Sequence, residues 1–273
     1  MRPAWRMLGR SGSFVTGFLI VAFWSLCAVG GRRIVPFDPF EDDILNALAA
    51  PSLTHWFGTD QLGRDVLSRV IVGARDILLV APLATGLGLA LGVILGLVTG
   101  YFRGIVDDVI GRLIDALLAL PLVIIALLAL TAIGPSSLAV VVVIGVVFAP
   151  LIARTVRAAV LSERNLDYVA AARLRNEPAV YILFAEILPN VVPPIVVEAS
   201  VRLGYAIFTV ATLSFIGFGI QPPSPDWGLA VAESYGLING GFWWPVLFNT
   251  LAVASLVIGV NLAADGIQAA VKA

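Results

Sequence analysis

The stretch from Ile77 to Tyr101, ILLVAPLATGLGLALGVILGLVTGY, decides the class of fold. It is rich in Leu and Gly and contains no charged residue. A helix needs about 20 apolar residues to cross the roughly 30 Å hydrocarbon core of a bilayer. The stretch is therefore long enough to span a membrane. Pro82 near its start is compatible with this, because neighbouring helices can satisfy freed backbone groups.

The composition of the whole chain agrees with this assignment. Of 273 residues, 59% are hydrophobic and 13% are charged, and the mean hydropathy is +0.98. A soluble globular protein has about 25% charged residues. Polar groups this few cannot cover a folded surface in water, so the chain must use lipid as its solvent. The net charge of −1 gives no indication of nucleic-acid binding.

Five further apolar stretches predict an all-α, polytopic membrane protein with six transmembrane helices. The first, 13–30, follows Arg2, Arg6 and Arg10, and its charge pattern also resembles a cleavable signal peptide. The remaining predicted spans are 113–133, 138–153, 191–220 and 244–264. The chain is thereby divided into an N-terminal segment (1–12), the first span (13–30), a long loop with an amphipathic helix (31–76) and a five-helix core (77–273).

Basic residues in the loops predict the orientation, because cytoplasmic loops carry an excess of Lys and Arg. Eleven lie on the side of both termini and five on the other. The eleven are Arg2, Arg6, Arg10, Arg103, Arg112, Arg154, Arg157, Arg164, Arg173, Arg175 and Lys272. We therefore expect both termini to lie in the cytoplasm. Arg32 and Arg33, directly after the first span, are the discordant feature.

Scarcity of reactive side chains argues against catalysis by this chain. Lys272, His55 and Cys27 are the only residues of their types. A phosphate-binding loop needs an internal lysine, and a histidine-based zinc site needs two or three histidines. We expect no catalytic residue, no metal site and no bound cofactor.

Two long loops hold most of the charge. In the outer loop, apolar residues recur at helical spacing after Arg64 and predict an amphipathic helix that packs over the outer face or receives substrate. In the inner loop, 154–190, a short helix capped by Asn165 or Asp167 is expected to reverse at Asn176. A second helix should then run from Ala179 to Leu188. Such a protrusion is either an ordinary hairpin or a docking surface for another protein.

Glu198 and Arg202 lie four residues apart inside the fifth predicted span. At this spacing they share one helix face and can pair. An ionisable residue within a span is a candidate functional residue. The two residues therefore either line a substrate path or form a structural pair.

At this point the chain resembles a known family. Residues 57–69, FGTDQLGRDVLSR, look like the outer segment of ABC importer permeases of the dipeptide/oligopeptide/nickel type, in particular the second, "C" permease subunit. Residues 166–190 resemble the cytoplasmic EAA loop of that family. Residues 213–228 and 261–266 resemble the exit of its fifth span and its C-terminal end.

The resemblance implies a type I ABC importer architecture, a multi-pass location in the bacterial inner membrane and a definite set of partners. A homologous permease would complete a heterodimer, two cytoplasmic ATPases would drive it, and an extracytoplasmic binding protein would deliver peptides, or else nickel or metallophore complexes. It also implies that the EAA loop docks on an ATPase. The residues concerned here are Tyr168, Ala170, Ala171, Ala172, Arg173, Asn176, Leu188 and Pro189.

Three positions depart from the family pattern. Ala170 stands where Glu is usual, Asn176 where Gly is usual, and Ala185-Glu186 where a basic pair is common. Asn is a conservative change at a left-handed turn. An ion-coupled secondary transporter acting alone is the alternative from another class. Several carboxylates in the middle of the spans would favour that alternative, and Glu198 is the one seen near such a position. A membrane-embedded enzyme would have few reactive side chains to use.

Overall fold

The computed structural model describes residues 11–272. The predicted segment 1–12, with Arg2, Arg6 and Arg10, therefore lies almost entirely outside the described residues. Nine helices make up the fold between residues 11 and 272. They are α1 (Gly12–Gly30), α2 (Val66–Phe102), α3 (Ile105–Leu118), α4 (Leu122–Ile133), α5 (Ser137–Glu163), α6 (Asp167–Leu174), α7 (Ala179–Phe215), α8 (Trp227–Ser234) and α9 (Trp244–Lys272).

Five of these helices, α1, α2, α5, α7 and α9, are each long and apolar enough to cross a bilayer. Helices α3 and α4 together form a sixth candidate span, bent by 91°. The prediction of an all-α polytopic membrane protein is confirmed. The third span is not the single helix predicted for 113–133, because the chain breaks between Leu118 and Leu122. Pro121 sits at the break, where it provides no backbone N–H and disfavours helical backbone in the preceding residue.

Several helices are longer than the apolar stretches that predicted them. The amphipathic segment after Arg64 and the second span are one continuous helix, α2. Helix α5 continues past Ala153 to Glu163, and α7 begins at Ala179 rather than near Val191. Hydropathy marks only the part of a helix that lies in lipid. The length of a helix that projects beyond the bilayer is therefore underestimated from hydropathy.

A row of glycines on α2 sets its contact with α5. Gly88, Gly92, Gly96 and Gly100 recur every four residues and so share one face of the helix. A Cβ atom on Gly92 would lie 2.6 Å from the Cβ of Ile152, and one on Gly96 would lie 2.6 Å from the Cβ of Val156. The two backbones can approach this closely only because the side chains are absent. Such packing is a main source of helix association in lipid.

Helix α1 packs against α9 in the same way. A Cβ atom on Gly17 would meet the backbone of Gly259 and Ala263. The Trp24 indole N–H donates to Ser255 Oγ at 2.9 Å. The centres of the Trp24 and Trp227 rings lie 4.7 Å apart in an edge-to-face arrangement. These contacts join α1 to the bundle.

The 31–65 loop is fastened to the bundle by Asp60. Its carboxylate accepts hydrogen bonds from the backbone N–H groups of Leu62 and Arg64, and from Arg64 Nε at 2.7 Å. Arg69 of α2 lies 3.5 Å from the same carboxylate. Asp65 then caps α2 by accepting from the Ser68 N–H at 2.8 Å. The expected packing role of this segment agrees with these contacts.

Asp226 caps the start of α8 and is fully buried. Its Oδ1 accepts a hydrogen bond from the Leu229 N–H at 2.9 Å, while Oδ2 has no hydrogen-bond partner among the described residues. Burial raises the pKa of Asp226 to about 6, and the Leu229 hydrogen bond only partly offsets this. The ionised carboxylate is therefore disfavoured in the folded protein.

Substitution of the glycine row tests the α2–α5 contact. We expect Gly96→Leu to destabilise the protein by about 1–3 kcal/mol, the usual effect of overpacking a close contact. Gly86→Leu is the matched control. Gly86 lies on the same helix, but a Cβ atom placed there would have no neighbouring atom within 4 Å. Thermal unfolding in detergent should show a clear loss for the first variant alone. Equal stability of the two variants would contradict the assignment.

The raised pKa of Asp226 predicts a pH dependence of stability. In the unfolded chain an aspartate loses its proton near pH 4, whereas here it keeps the proton up to about pH 6. The folded state therefore binds more protons between these values, and stability falls as the pH rises through them. The loss amounts to about 3 kcal/mol at most.

Asp226→Asn should remove this pH-dependent part of the stability. It should keep the helix cap, because an amide oxygen can also accept from the Leu229 N–H. The measurement is the difference in unfolding temperature between wild type and variant at pH 4.5 and pH 7.5. The unfolding temperature of the variant should increase relative to that of the wild type as the pH rises. A difference that does not change with pH would show that the prediction is wrong.

Candidate functional site: the α6–α7 hairpin

The α6–α7 hairpin comprises α6, the turn at 175–178 and the first turns of α7 up to residue 190. Asn176 adopts a φ of 57°, the left-handed conformation expected at this reversal. The Glu177 N–H donates to the Ala172 carbonyl at 3.2 Å, and the Asn176 N–H donates to the Arg173 carbonyl at 2.9 Å. These two bonds form a Schellman motif, which satisfies the last carbonyls of α6. The turn predicted at Asn176 is confirmed.

The N-terminal cap of α6 differs from the prediction. Leu166, rather than Asn165 or Asp167, occupies the cap position, and no side chain caps the helix there. Its carbonyl accepts from the Val169 and Ala170 N–H groups instead. Asp167 lies in the first turn, where a negative charge favours the positive end of the helix dipole.

The second helix of the hairpin does not stop at Pro189. It continues through Pro189 and Asn190 as the start of the long helix α7. Residues 182–187 form a π-helical turn, and Asn190 Nδ2 donates to the Glu186 carbonyl at 2.8 Å. The π-helical turn lies directly before Pro189, and the helix continues past the proline. The hairpin is therefore continuous with the fifth span.

Polar contacts hold the hairpin against α2 and α5. Arg164 Nη1 donates to the Tyr101 carbonyl at 2.9 Å and to the Gly100 carbonyl at 3.2 Å, at the end of α2. The Arg173 guanidinium lies 5.2 Å from the centre of the Tyr101 ring. The Tyr168 hydroxyl donates to Glu163 Oε2 at 2.8 Å. The hairpin is thus attached to the ends of both helices.

Burial, followed by the hydrogen bond to Glu163, raises the pKa of Tyr168 to about 12. The phenol therefore remains protonated and serves as a donor at physiological pH. Its contact with Glu163 joins α6 to the end of α5 across the loop.

The predicted site residues divide into a buried and an exposed group. Ala172 is buried, while Tyr168 and Leu188 are half-buried. Ala170, Ala171, Arg173, Asn176 and Pro189 are exposed. Large apolar side chains are also exposed on this hairpin, with Leu174 84% accessible. The others are Leu166, Val180, Tyr181 and Phe184.

An ion-pair cluster occupies the position where the sequence departs from the family pattern. Arg175 Nη2 lies 3.0 Å from Glu186 Oε1, and Arg175 Nε lies 3.5 Å from Glu177 Oε1. Glu186 therefore links the turn to the π-helical segment of α7. The acidic residue at this position has a definite partner within the hairpin.

Glu198 and Arg202 lie further along α7, about two helical turns beyond Asn190. Glu198 Oε1 accepts from Arg202 Nε at 2.6 Å, and its Oε2 accepts from the Thr155 hydroxyl of α5 at 3.3 Å. The Arg202 guanidinium lies 5.6 Å from the centre of the Tyr205 ring. The pair is formed as its spacing predicted, and it also connects α7 to α5.

Two further ion pairs near the same end of the bundle were not predicted. Arg157 makes a two-pronged contact with Asp107 of α3, at 2.7 and 2.6 Å. Arg154 pairs with Asp115 of α3. No local signal marks such partners, because they lie some 40 to 50 positions apart in the sequence. Within residues 11–272, no three His, Cys, Asp or Glu side chains are grouped to hold a metal ion.

Comparison with known proteins agrees with the geometry. Residues 92–273 match the family described as the binding-protein-dependent transport system inner membrane component. The chain is 39% identical to the dipeptide transport system permease protein DppC of Escherichia coli (strain K12), over 98% of this chain and 91% of that protein. It is 34% identical to the corresponding protein of Alkalihalophilus pseudofirmus, over 98% of this chain and 88% of the relative.

A further relative is the probable D,D-dipeptide transport system permease protein DdpC of Escherichia coli (strain K12). It is 34% identical over 96% of this chain and 88% of its own length. Among solved structures, an inward-facing form of the MetNI methionine ABC transporter aligns with a TM-score of 0.60 at 21% identity. The alignment covers 74% of this chain and 96% of that chain, and it shows a shared fold.

The resemblance carried by residues 57–69 and by the α6–α7 hairpin is thereby confirmed: the chain belongs to the binding-protein-dependent transport system inner membrane components, the permease subunits of ABC importers.

Proposed function

We propose that this chain forms half of the translocation path for peptides in an ATP-driven, binding-protein-dependent importer. The observation that carries the proposal is the α6–α7 hairpin, which exposes apolar side chains at its tip while Arg173 contacts Tyr101 at the end of α2 and Tyr168 bonds to Glu163 at the end of α5. Near full-length relatives named as dipeptide permeases support peptides as the cargo. Their names supply the substrate class, which the geometry of this chain does not.

The partners follow from this class of transporter. A homologous permease completes the path, two cytoplasmic ABC ATPases supply the energy, and an extracytoplasmic binding protein delivers the substrate. We place both termini and the α6–α7 hairpin in the cytoplasm, as the distribution of basic residues predicts. Exposed large apolar side chains are costly in water, so their grouping on the hairpin supports a protein partner there.

The hairpin is suited to transmit movement. Its second helix is the first part of α7, which runs without a break from Ala179 to Phe215. A displacement applied at the turn therefore acts directly on the fifth span. The Schellman motif and the contacts of Arg175 keep the hairpin in one shape, so that ATPase closure moves it as a unit.

Access alternates between the two sides of the membrane in this proposal. ATP binding brings the coupling hairpins of the two permeases together and opens the path outward, and hydrolysis reverses the change. We assign Glu198 and Arg202 to a structural pair that joins α7 to α5, rather than to the path lining. Their contacts with Thr155 and with one another support this choice.

The experiment that tests the function is reconstitution of the permease pair, the ATPases and the binding protein in liposomes, followed by measurement of dipeptide uptake. Uptake should require ATP and should stop with a nonhydrolysable analogue. Uptake that the analogue does not affect would favour an ion-coupled transporter. Competition by nickel complexes but not by peptides would assign a different cargo.

Leu174→Glu tests the docking surface in the same system. The side chain is 84% exposed, so the folded chain should tolerate the change, but a charge should oppose burial against an ATPase. We expect loss of ATPase co-purification and at least a tenfold loss of uptake. Leu45→Glu is the control for assembly, because Leu45 is 97% exposed on the 31–65 loop at the other end of the bundle. Normal co-purification of Leu174→Glu would remove this support for coupling.

Two substitutions at Asn176 test the shape of the turn. Asn176→Gly should preserve uptake, because glycine adopts a φ of 57° without strain. Asn176→Val should strain the turn by about 1–2 kcal/mol, since left-handed backbone is unfavourable for side chains with a Cβ atom. We expect lower ATP-dependent uptake for the valine variant, with membrane insertion unchanged. Equal uptake by both variants would show that the turn geometry is not needed for coupling.

A further inference from the structure

An open groove of about 1590 Å³ lies between α1 and α2, and residues 223–225 form part of its lining. We call it the α1–α2 groove. Within the span its walls are apolar, formed by Val21 of α1, Leu79 and Leu83 of α2 and Leu203 of α7. Its volume exceeds the 300–1,000 Å³ typical of small-molecule pockets. The groove therefore fits an occupant larger than a drug-sized ligand.

Arginines surround the end of the groove that carries the 31–65 loop. Arg32 and Arg33 follow α1 directly, and Arg75 lies on α2. None of the three forms an ion pair with a carboxylate of residues 11–272. The Arg32 guanidinium lies over the ring of Phe40, at 4.3 Å. All three side chains are exposed, so their charges are available to a ligand.

One carboxylate also lines this end of the groove. Asp76 accepts a hydrogen bond from the Ser224 hydroxyl, which fixes its side chain against the 223–225 loop. Three guanidinium groups therefore face one carboxylate, and the end of the groove is positive. An apolar cavity with a positive rim is complementary to an amphiphile with apolar chains and an anionic head group.

Arg32 and Arg33 are also unusual in their position, directly after the first span. Basic residues that follow a span on the outer side oppose the positive-inside tendency. An anionic lipid head group at this level would compensate for that placement, and each arginine near a membrane surface contributes about 1 kcal/mol to binding of anionic lipid.

We propose that the α1–α2 groove binds one anionic phospholipid. Its phosphate group is held by Arg33 and Arg75, and its acyl chains lie along Leu79, Leu83 and Val21. The bound lipid fills the space between α1 and α2 and so holds the first span to the rest of the bundle. The site depends on membrane embedding, while the choice of the outer leaflet and the positional argument for Arg32 and Arg33 rest on the proposed orientation.

Lipid exchange into the purified transporter tests the site. The full chain, purified with its partner chains in mild detergent, is titrated with phosphatidylglycerol or phosphatidylcholine, and bound lipid is counted by native mass spectrometry. The wild type should prefer phosphatidylglycerol. Arg33→Gln with Arg75→Gln should reduce that preference five- to twenty-five-fold, about fivefold for each arginine.

Arg103→Gln with Arg112→Gln is the control, since these exposed arginines lie beyond the other end of α2. It should leave the preference unchanged. An unchanged preference in the Arg33/Arg75 variant would overturn the proposal. The lipid measurement does not depend on transport. The lipid proposal can therefore be overturned while peptide uptake is confirmed, and it can be supported while peptide uptake is not found.

Photo-crosslinking decides between lipid and protein as the occupant. A photoreactive benzophenone side chain placed at Leu83, which is 54% exposed, reports directly on what fills the groove. Crosslinks to phospholipid in the assembled transporter support the proposal. Crosslinks to the partner permease would show that a helix occupies the groove and would overturn it.

Discussion

The close contact between α2 and α5 is the interaction on which the rest of the structure depends. Lipid offers no hydrophobic gain for bringing two apolar helices together, so association relies on packing at short range. The glycine row from Gly88 to Gly100 permits that packing over three turns of helix. Both helices continue beyond the apolar stretch, and their projecting ends carry the polar contacts. A rigid central pair therefore links the two faces of the protein.

Each end of α2 is tied to a different polar segment. At its start, Asp65 caps the helix and Arg69 contacts Asp60 of the 31–65 loop. At its end, the carbonyls of Gly100 and Tyr101 accept from Arg164, which introduces the α6–α7 hairpin. The 31–65 loop and the hairpin proposed to meet the ATPase are thus attached to one helix. Such a connection is what a subunit that transmits ATPase closure across a membrane requires.

The charged residues are few, and their placement explains how the chain tolerates them in lipid. Within the described residues, most of the pairs lie in the loops or towards the ends of helices, as Asp60 with Arg64 and Asp107 with Arg157 illustrate. Glu198 and Arg202 lie inside a span, where each neutralises the other. Arg32, Arg33 and Arg75 differ because they remain without a carboxylate partner among residues 11–272. Arg103, Arg112 and Arg173 also lack an ion pair there, but only Arg32, Arg33 and Arg75 line the α1–α2 groove, where we propose an anionic lipid as the partner.

Much of the fold and part of the candidate site were predictable from the sequence alone. Unbroken apolar stretches such as 77–101 determine that the chain crosses a membrane, because only a helix satisfies its own backbone in lipid. Asn176 and Pro178 determine the reversal of the hairpin, since local backbone preference acts over a few residues. The i, i+4 spacing of Glu198 and Arg202 determines their pairing. The four-residue glycine repeat of α2 is also present in the sequence and marks a packing face.

The tertiary structure decided the features that depend on distant residues. Neither the bend at Pro121 nor the passage of α7 through Pro189 follows from hydropathy, because neighbouring helices determine whether a proline breaks a span. The partners of Arg164 and Arg157 are separated from them by about 50 to 64 positions, and no local pattern encodes such contacts. The α1–α2 groove likewise exists only once two helices far apart in the chain stand side by side. Sequence determines what each segment can do in lipid, and packing determines which segments meet.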